Sequence, residues 1–144
     1  MRADDLPWTL RHFAPHVYVN VSPERISFAR NGVSQTYRTF LYICDSAQGP
    51  EVLAVGQEVP DAPDARRVEL FGGAAAVSGD TPERMVCLEA FLRFGLQRGA
   101  GRSFLRPVVT VRGVENLSAI LGGYEQGIFR AALVDAGAAV VLFE

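Results

Sequence analysis

The sequence predicts an α/β fold built on one mixed β-sheet. Two short apolar segments, 107–112 and 138–144, are separated by a stretch with helical spacing, and strands joined by so long a crossover run parallel. Nearer the start, segments 16–21 and 26–30 alternate apolar and polar residues, and an Asn-Gly pair that favours a hairpin follows them. Parallel strands need helices packed over the sheet, so the late strands also predict helical cover.

The composition indicates a single globular domain. Of 144 residues, 49% are hydrophobic and 21% are charged, which is typical of a folded chain with a real core. The formal charge is −2, with acidic and basic residues mixed along the chain, so a nucleic acid is not expected as a partner. All 14 cationic residues are arginine, which excludes Schiff-base and P-loop lysine chemistry.

We expect a cytoplasmic protein. The first residues carry two carboxylates where a signal peptide needs a basic and then an apolar region. The longest apolar run, 138–143, is far shorter than the roughly 20 residues that cross a bilayer. Cys44 and Cys87 should then be reduced, and two cysteines make neither a zinc site nor a disulfide framework.

Residues 1–15 form a candidate N-terminal arm. Pro7 limits any helix to the residues after it. The arm carries four apolar residues that we take as candidate interaction residues, namely Leu6, Trp8, Leu10 and Phe13. Three interpretations stay open: the arm packs on its own domain, it is a disordered lead-in, or it anchors to a membrane or a protein partner. Membrane association is the weakest of these, because only two arginines offer charge to lipid.

The remaining residues, 16–144, are predicted to form one domain. The segment Thr36–Cys44 is predicted as the third strand of an antiparallel meander with the two alternating strands. Further short extended segments are predicted at 51–55 and 67–71. A long helix should begin at Asp80, with leucines at helical spacing, and end near Gly99.

The last third is predicted to contain the strands already described and the crossover between them. Because two glycines interrupt this crossover, we predict a short helical piece at 114–121 and a main helix from about Tyr124. Three antiparallel strands followed by helix, strand, helix and strand give the ribonuclease H-like arrangement, with sheet order 3-2-1-4-5. Right-handed crossovers then place both main helices on one face. We expect the other face to be covered by the arm or by another subunit.

The same segments resemble domain I of the actin-like MreB family of bacterial rod-shape-determining proteins. The similarity covers about residues 16–144, in order, and its pieces are 17–23, 51–58, 80–94, 104–111 and 130–144. It implies a ribonuclease H-like fold, with a phosphate-binding hairpin at the end of the first strand.

The hairpin departs from the family pattern. Asn20, Val21, Ser22 and Pro23 stand where the family has an Asp-x-Gly-Thr turn. Asn20 lacks the charge that holds a metal-bound nucleotide, and Pro23 lacks an N–H that a phosphate would need. Glu144 aligns with the water-orienting glutamate of the family, and the second domain that completes the nucleotide cleft does not align. We therefore expect a vestigial hairpin, no enzymatic activity, no catalytic residue and no cofactor.

Other candidate sites are weak. His12 and His16 lack further metal ligands nearby, so no metal is expected. Cys44 has no base near it in sequence, and Cys87 is predicted to fill the core.

Three functional hypotheses follow. The favoured one is a non-catalytic actin-like domain that binds protein, as an adaptor in bacterial cytoskeleton or envelope assembly, or that pairs with itself through an uncovered sheet face. The second is a residual nucleotide- or small-ligand-binding domain. The third is an actin-like component of a type II secretion or type IV pilus platform.

Overall fold

A computed structural model describes residues 2–56, 60–71, 82–101 and 104–144. Within these residues the strands are β1 His16–Val21, β2 Arg25–Arg30, β3 Val33–Arg38, β4 Phe40–Ser46, β5 Gly49–Val55, β6 Arg66–Glu69, β7 Val108–Arg112 and β8 Val140–Phe143. The helices are α1 Trp8–Phe13, α2 Pro82–Ala100, α3 Ser118–Leu121 and α4 Glu125–Asp135, with 3-10 turns at Ala3–Asp5 and Val114–Leu117. The predicted helix start at Asp80 lies outside the described residues.

The central sheet has the order β3-β2-β1-β7-β8, which confirms the predicted order 3-2-1-4-5. Strand β1 pairs antiparallel with β2 and parallel with β7, and β7 pairs parallel with β8. The register places Val17 beside Val109 and Val109 beside Val141. An apolar row therefore runs across the three parallel strands.

Both long helices pack on one face of this sheet, as predicted. Strands β1, β2 and β7 supply valine, isoleucine and phenylalanine side chains to that face. The helices cover them with a set of fully or almost fully buried residues: Leu88, Phe91, Leu92, Leu96, Phe129 and Leu133. Burying side chains of this size contributes about 1.5–3 kcal/mol each, so this face supplies most of the hydrophobic stabilisation.

Helix α2 approaches β2 closely because it carries a glycine at the contact. A Cβ atom at Gly95 would overlap the aromatic ring of Phe28, which is itself fully buried. The glycine thus lets a large ring lie directly under the helix backbone.

The predicted strand Thr36–Cys44 is wrong, because the chain changes direction at Thr39. The backbone N–H of Thr39 donates to the Glu24 carbonyl oxygen at 3.2 Å, and its hydroxyl donates to the Pro23 carbonyl oxygen at 2.6 Å. The first bond joins the residue pair that follows Arg25 and Arg38 in the β2–β3 register, and the second ties the Thr39 side chain to the turn. Strand β4 then starts at Phe40 and enters a different sheet.

The second sheet has three antiparallel strands in the order β5-β4-β6. Its strands β5 and β6 correspond to the extended segments predicted at 51–55 and 67–71. Its apolar side chains, including Leu41, Ile43 and Val68, belong to the same core cluster as the central sheet. The two sheets therefore share one hydrophobic core in the described part of the chain.

The face of the central sheet opposite the helices is only half covered. Over β7 and β8, Leu6 and Ala14 of the arm are buried against Val108 and Leu142, with Leu10 partly buried beside them. The interpretation that the arm packs on its own domain is therefore correct for this half.

Over β1, β2 and β3 this opposite face is polar. Side chains alternate along each strand, so the neighbours of the buried valines and phenylalanine point away from the core. They include Tyr18, Asn20, Ser27 and Thr36, all exposed or half-buried. The expectation that this face needs a covering element is thus corrected for this half, since a polar antiparallel surface can face water.

We predict that Gly95→Ala destabilises the protein by about 2 kcal/mol. The overlap with Phe28 lowers the free energy of unfolding by up to about 3 kcal/mol, because the core is overpacked. The higher helix propensity of alanine raises it by about 1 kcal/mol. Gly127→Ala is the matched control, since a Cβ on this α4 glycine meets no atom within 4 Å. That variant should gain about 0.5–1 kcal/mol. Urea unfolding of both variants measures the difference, and equal shifts would contradict the close packing of α2 on β2.

We predict that Leu6→Ala loosens the arm and lowers the free energy of unfolding by about 2 kcal/mol. Leu6 is 5% exposed, whereas Trp8 is 59% exposed, so Trp8→Ala should change stability by less than about 0.5 kcal/mol. Urea unfolding measures the change in stability of each variant, and the rate of tryptic cleavage after Arg11 measures how loosely the arm is held. Faster cleavage in the Trp8 variant than in the Leu6 variant would show that the arm docks through its other face.

Candidate functional site

Three strand ends meet at one edge of the central sheet. Strands β1, β7 and β8 are parallel, so their carboxyl ends lie side by side. The turn at Ser22 follows β1, Gly113 follows β7, and Glu144 follows β8. The carboxyl edge of parallel strands is where sheets of this kind bind ligands, which makes it the first candidate site.

The turn between β1 and β2 is closed by its own hydrogen bonds. The Ser22 N–H donates to the Arg25 carbonyl oxygen at 2.9 Å, and the Ser22 hydroxyl donates to the same oxygen at 3.0 Å. The Arg25 N–H donates to the Ser22 hydroxyl oxygen at 3.1 Å. Pro23 occupies the second turn position, which its fixed φ favours, and has no N–H. Two of the three N–H groups of the turn are therefore used within it.

Thr39 is hydrogen-bonded to this turn from the junction between β3 and β4. Among the described residues it is the one buried polar side chain, with 4% exposure. Its two bonds to the carbonyl oxygens of Pro23 and Glu24 tie the β1–β2 turn to the β3–β4 junction. Sequence reasoning missed this role, because a single threonine inside a predicted strand carries no signal for it.

The end of β7 comes very close to the end of β1. Gly113 has a φ of 82°, and a Cβ there would lie 2.6 Å from the Val21 carbonyl oxygen. Asn116 donates its side-chain N–H to the same oxygen at 3.2 Å. Only glycine fits at this position, both in conformation and in space. The Val21 oxygen is thereby satisfied inside the protein.

An ion pair closes the other end of this edge. Arg112 donates a hydrogen bond to the Glu144 carboxylate, and its guanidinium lies 4.6 Å from the centre of the Tyr18 ring. The hydrogen bond that Arg112 donates to Glu144 raises the pKa of Arg112, which is charged at physiological pH in any case. The carboxylate of Glu144 is therefore already engaged.

The structure brings the predicted hairpin residues together around a small cleft. Asn20, Val21 and Ser22 line it, with Arg25, Ser27 and Thr36 of the neighbouring strands, and its volume is about 180 Å³. Pro23 lies on the other side of the turn, in a groove of about 400 Å³ between the two sheets.

The four predicted interaction residues do not act as one surface. Leu6 and Leu10 face the sheet, as described above. Trp8 and Phe13 are 59% and 63% exposed, and their ring centres are 5.2 Å apart. The exposed aromatic pair is what remains available to a partner.

The other sequence candidates stay separate from this edge. The Nε2–H of His16 donates one hydrogen bond to the Arg11 carbonyl oxygen, and Cys87 is buried in the core as predicted. Cys44 lies near Glu51, at an Sγ to Oε2 distance of 4.0 Å. In the residues that the structure describes, no group of three or more His, Cys, Asp or Glu side chains is placed to hold a metal ion. None of the described helices is long and apolar enough to cross a membrane.

Comparisons with known proteins give a structural neighbour and no sequence relative. No protein-family model matches the chain, and no curated protein sequence matches it. The fold is similar to that of MreB 5 of Spiroplasma citri, in the crystal structure of that protein bound to AMPPNP, with a TM-score of 0.61 and 14% identity. The match covers 91% of this chain but only 38% of the MreB 5 chain. At this identity the similarity establishes the architecture: the chain has the mixed α/β, ribonuclease H-like fold seen in actin-like proteins.

Proposed function

We propose that this chain is an actin-like domain that works by binding protein and carries out no nucleotide chemistry. The observation that carries the proposal is the closed turn between β1 and β2. In a phosphate-binding turn the backbone N–H groups point at the ligand and are free to donate. Here the N–H groups of Ser22 and Arg25 are already bonded inside the turn, and Pro23 has none.

The side chains near the turn support the same proposal. Asn20 lies where a metal-binding carboxylate would be needed, and a neutral amide contributes little to holding a divalent cation with a triphosphate. Glu144, the residue aligned with a water-orienting glutamate, is held by Arg112. The carboxylate of Glu144 is thus engaged in an ion pair and is not free to orient water for hydrolysis.

Two surfaces support a role in protein binding. The exposed pair Trp8 and Phe13 offers aromatic area of the kind that is enriched at interfaces. The polar half of the sheet face opposite the helices, over β1–β3, offers exposed hydrogen-bonding groups. The similarity in fold to an MreB protein supports the further proposal that the partner is a bacterial cytoskeleton or envelope assembly protein in the cytoplasm, with self-association as the other form of the same role.

A residual nucleotide site is the second candidate function. The cleft beside Asn20 and Ser22 favours it, since it lies next to the turn and contains the exposed Arg25. This candidate requires the internal bonds of the turn to open when the ligand binds.

We predict that calorimetric titration with Mg-ATP gives no saturable heat at millimolar nucleotide. The reason is that the turn has too few free N–H donors and no metal-binding carboxylate to repay the desolvation of the phosphates.

Micromolar, magnesium-dependent binding would contradict this proposal. If that binding were lost in Asn20→Ala or Ser22→Ala but kept in Ser34→Ala, the second candidate function would replace the first. Ser34 is the control because it is exposed on β3, away from the turn.

A further inference from the structure

Two arginines on the polar face are direct neighbours. Arg25 of β2 and Arg38 of β3 are opposite each other in the antiparallel pair. Directly opposed side chains have Cβ atoms roughly 5 Å apart, and like charges at that spacing destabilise the strand pair. In the part of the chain that the structure describes, neither guanidinium makes a hydrogen bond or an ion pair. The fold therefore carries an electrostatic cost that an anion on this surface would relieve.

Two depressions flank this arginine pair. On one side is the cleft of about 180 Å³, where Arg25 is accompanied by the side chains of Asn20, Ser27 and Thr36. The amide and the hydroxyls are hydrogen-bond donors, and with a guanidinium they match the oxygens of a carboxylate.

On the other side is the groove of about 400 Å³, where Arg38 is accompanied by Arg67, the ring of Phe40 and the carboxylates of Glu24 and Glu69. Arg67 lies over that ring at 3.8 Å and pairs with Glu69 at 2.6 Å. The cleft, the arginine pair and the groove form one elongated surface around the turn, which we call the arginine surface. Its shape suits a stretch of chain better than a single small ion.

The chemistry of this edge favours carboxylates as the ligand. Arg112, the third arginine of the same sheet face, is already paired with a carboxylate, that of Glu144. A nucleic acid is disfavoured for two reasons. The chain as a whole has a formal charge of −2, and the ring of Tyr18 is covered by Arg112 and is not free to stack on a base.

We propose that the arginine surface binds an acidic segment of a partner protein, whose carboxylates pair with Arg25 and Arg38. A second copy of this chain docked through the same surface is disfavoured, because two arginine surfaces facing each other would repel. This inference rests on the proposed protein-binding function and names the surface and the partner chemistry.

The test uses the full chain and a short fluorescein-labelled peptide that alternates glutamate and serine. We expect saturable fluorescence anisotropy at low ionic strength, weakened by added salt, and no binding of the matched glutamine-serine peptide. The double variant Arg25→Ser/Arg38→Ser should bind the acidic peptide about tenfold more weakly. The control Arg98→Ser/Arg106→Ser removes the same charge from α2 and from the opposite edge of the sheet, and should leave binding unchanged.

A second readout tests the electrostatic cost directly. Either single variant, Arg25→Ser or Arg38→Ser, should raise the urea midpoint, because it removes the like-charge contact; a lowered midpoint would show that the arginines serve the fold. Equal weakening in both double variants, or tighter binding of a labelled oligonucleotide than of the peptide, would overturn the proposal.

Salt-sensitive self-association that Arg25→Ser/Arg38→Ser abolishes would also overturn it, by making the occupant a second copy. If the acidic peptide does not bind and titration with Mg-ATP gives no saturable heat, this inference is wrong and the proposed function stands. Nucleotide binding would remove the proposed function itself.

Discussion

The parallel pairing of β1 with β7 is the constraint on which the rest of the structure depends. Once two strands run parallel, the chain needs a long connection between them and cover for the apolar side chains they present. Helices α2 and α4 meet this need on one face, where Gly95 lets α2 lie directly on Phe28. On the other face the arm buries Leu6 against β7 and β8, and the antiparallel half stays polar.

The same pairing creates the candidate site. It brings the ends of β1, β7 and β8 to one edge, so that a turn, a glycine and a carboxylate become neighbours although they are far apart in sequence. In this chain the groups at that edge bind each other. Asn116 and Gly113 close around the Val21 oxygen, and Arg112 holds Glu144. These polar groups at the edge already have partners within the protein, so we place binding on the neighbouring arginine surface.

The sheet order and the placement of the helices were predictable because they follow from periodicity and from the handedness of crossovers. The second sheet was not, because the residues on both sides of Thr39 have the same β-forming character. What separates β3 from β4 is a pair of hydrogen bonds from Thr39 to the turn 15 or more residues earlier in the chain, at Pro23 and Glu24.

Some features of the candidate site could likewise be predicted from the sequence, and others could not. The neutral side chain of Asn20 and the missing N–H of Pro23 could be read directly from the sequence. The internal bonds of Ser22, the opposition of Arg25 and Arg38, and the pairing of Glu144 depend on strand register, which no local pattern reports. The arm was an open question for a further reason. Four apolar residues at mixed spacing allow two faces, and the structure shows that Leu6 and Leu10 use one while Trp8 and Phe13 stay exposed.

The closed turn is the central claim, and amide hydrogen exchange at Ser22 and Arg25 measures it most directly. Residue-resolved exchange would be followed by NMR in the absence of ligand and again with Mg-ATP. We predict that both amides are protected without ligand and that their exchange rates do not change when nucleotide is added, because each N–H is already bonded within the turn. Rapid exchange of both amides without ligand, followed by protection on addition of Mg-ATP, would contradict the closed turn and identify it as a working phosphate-binding hairpin.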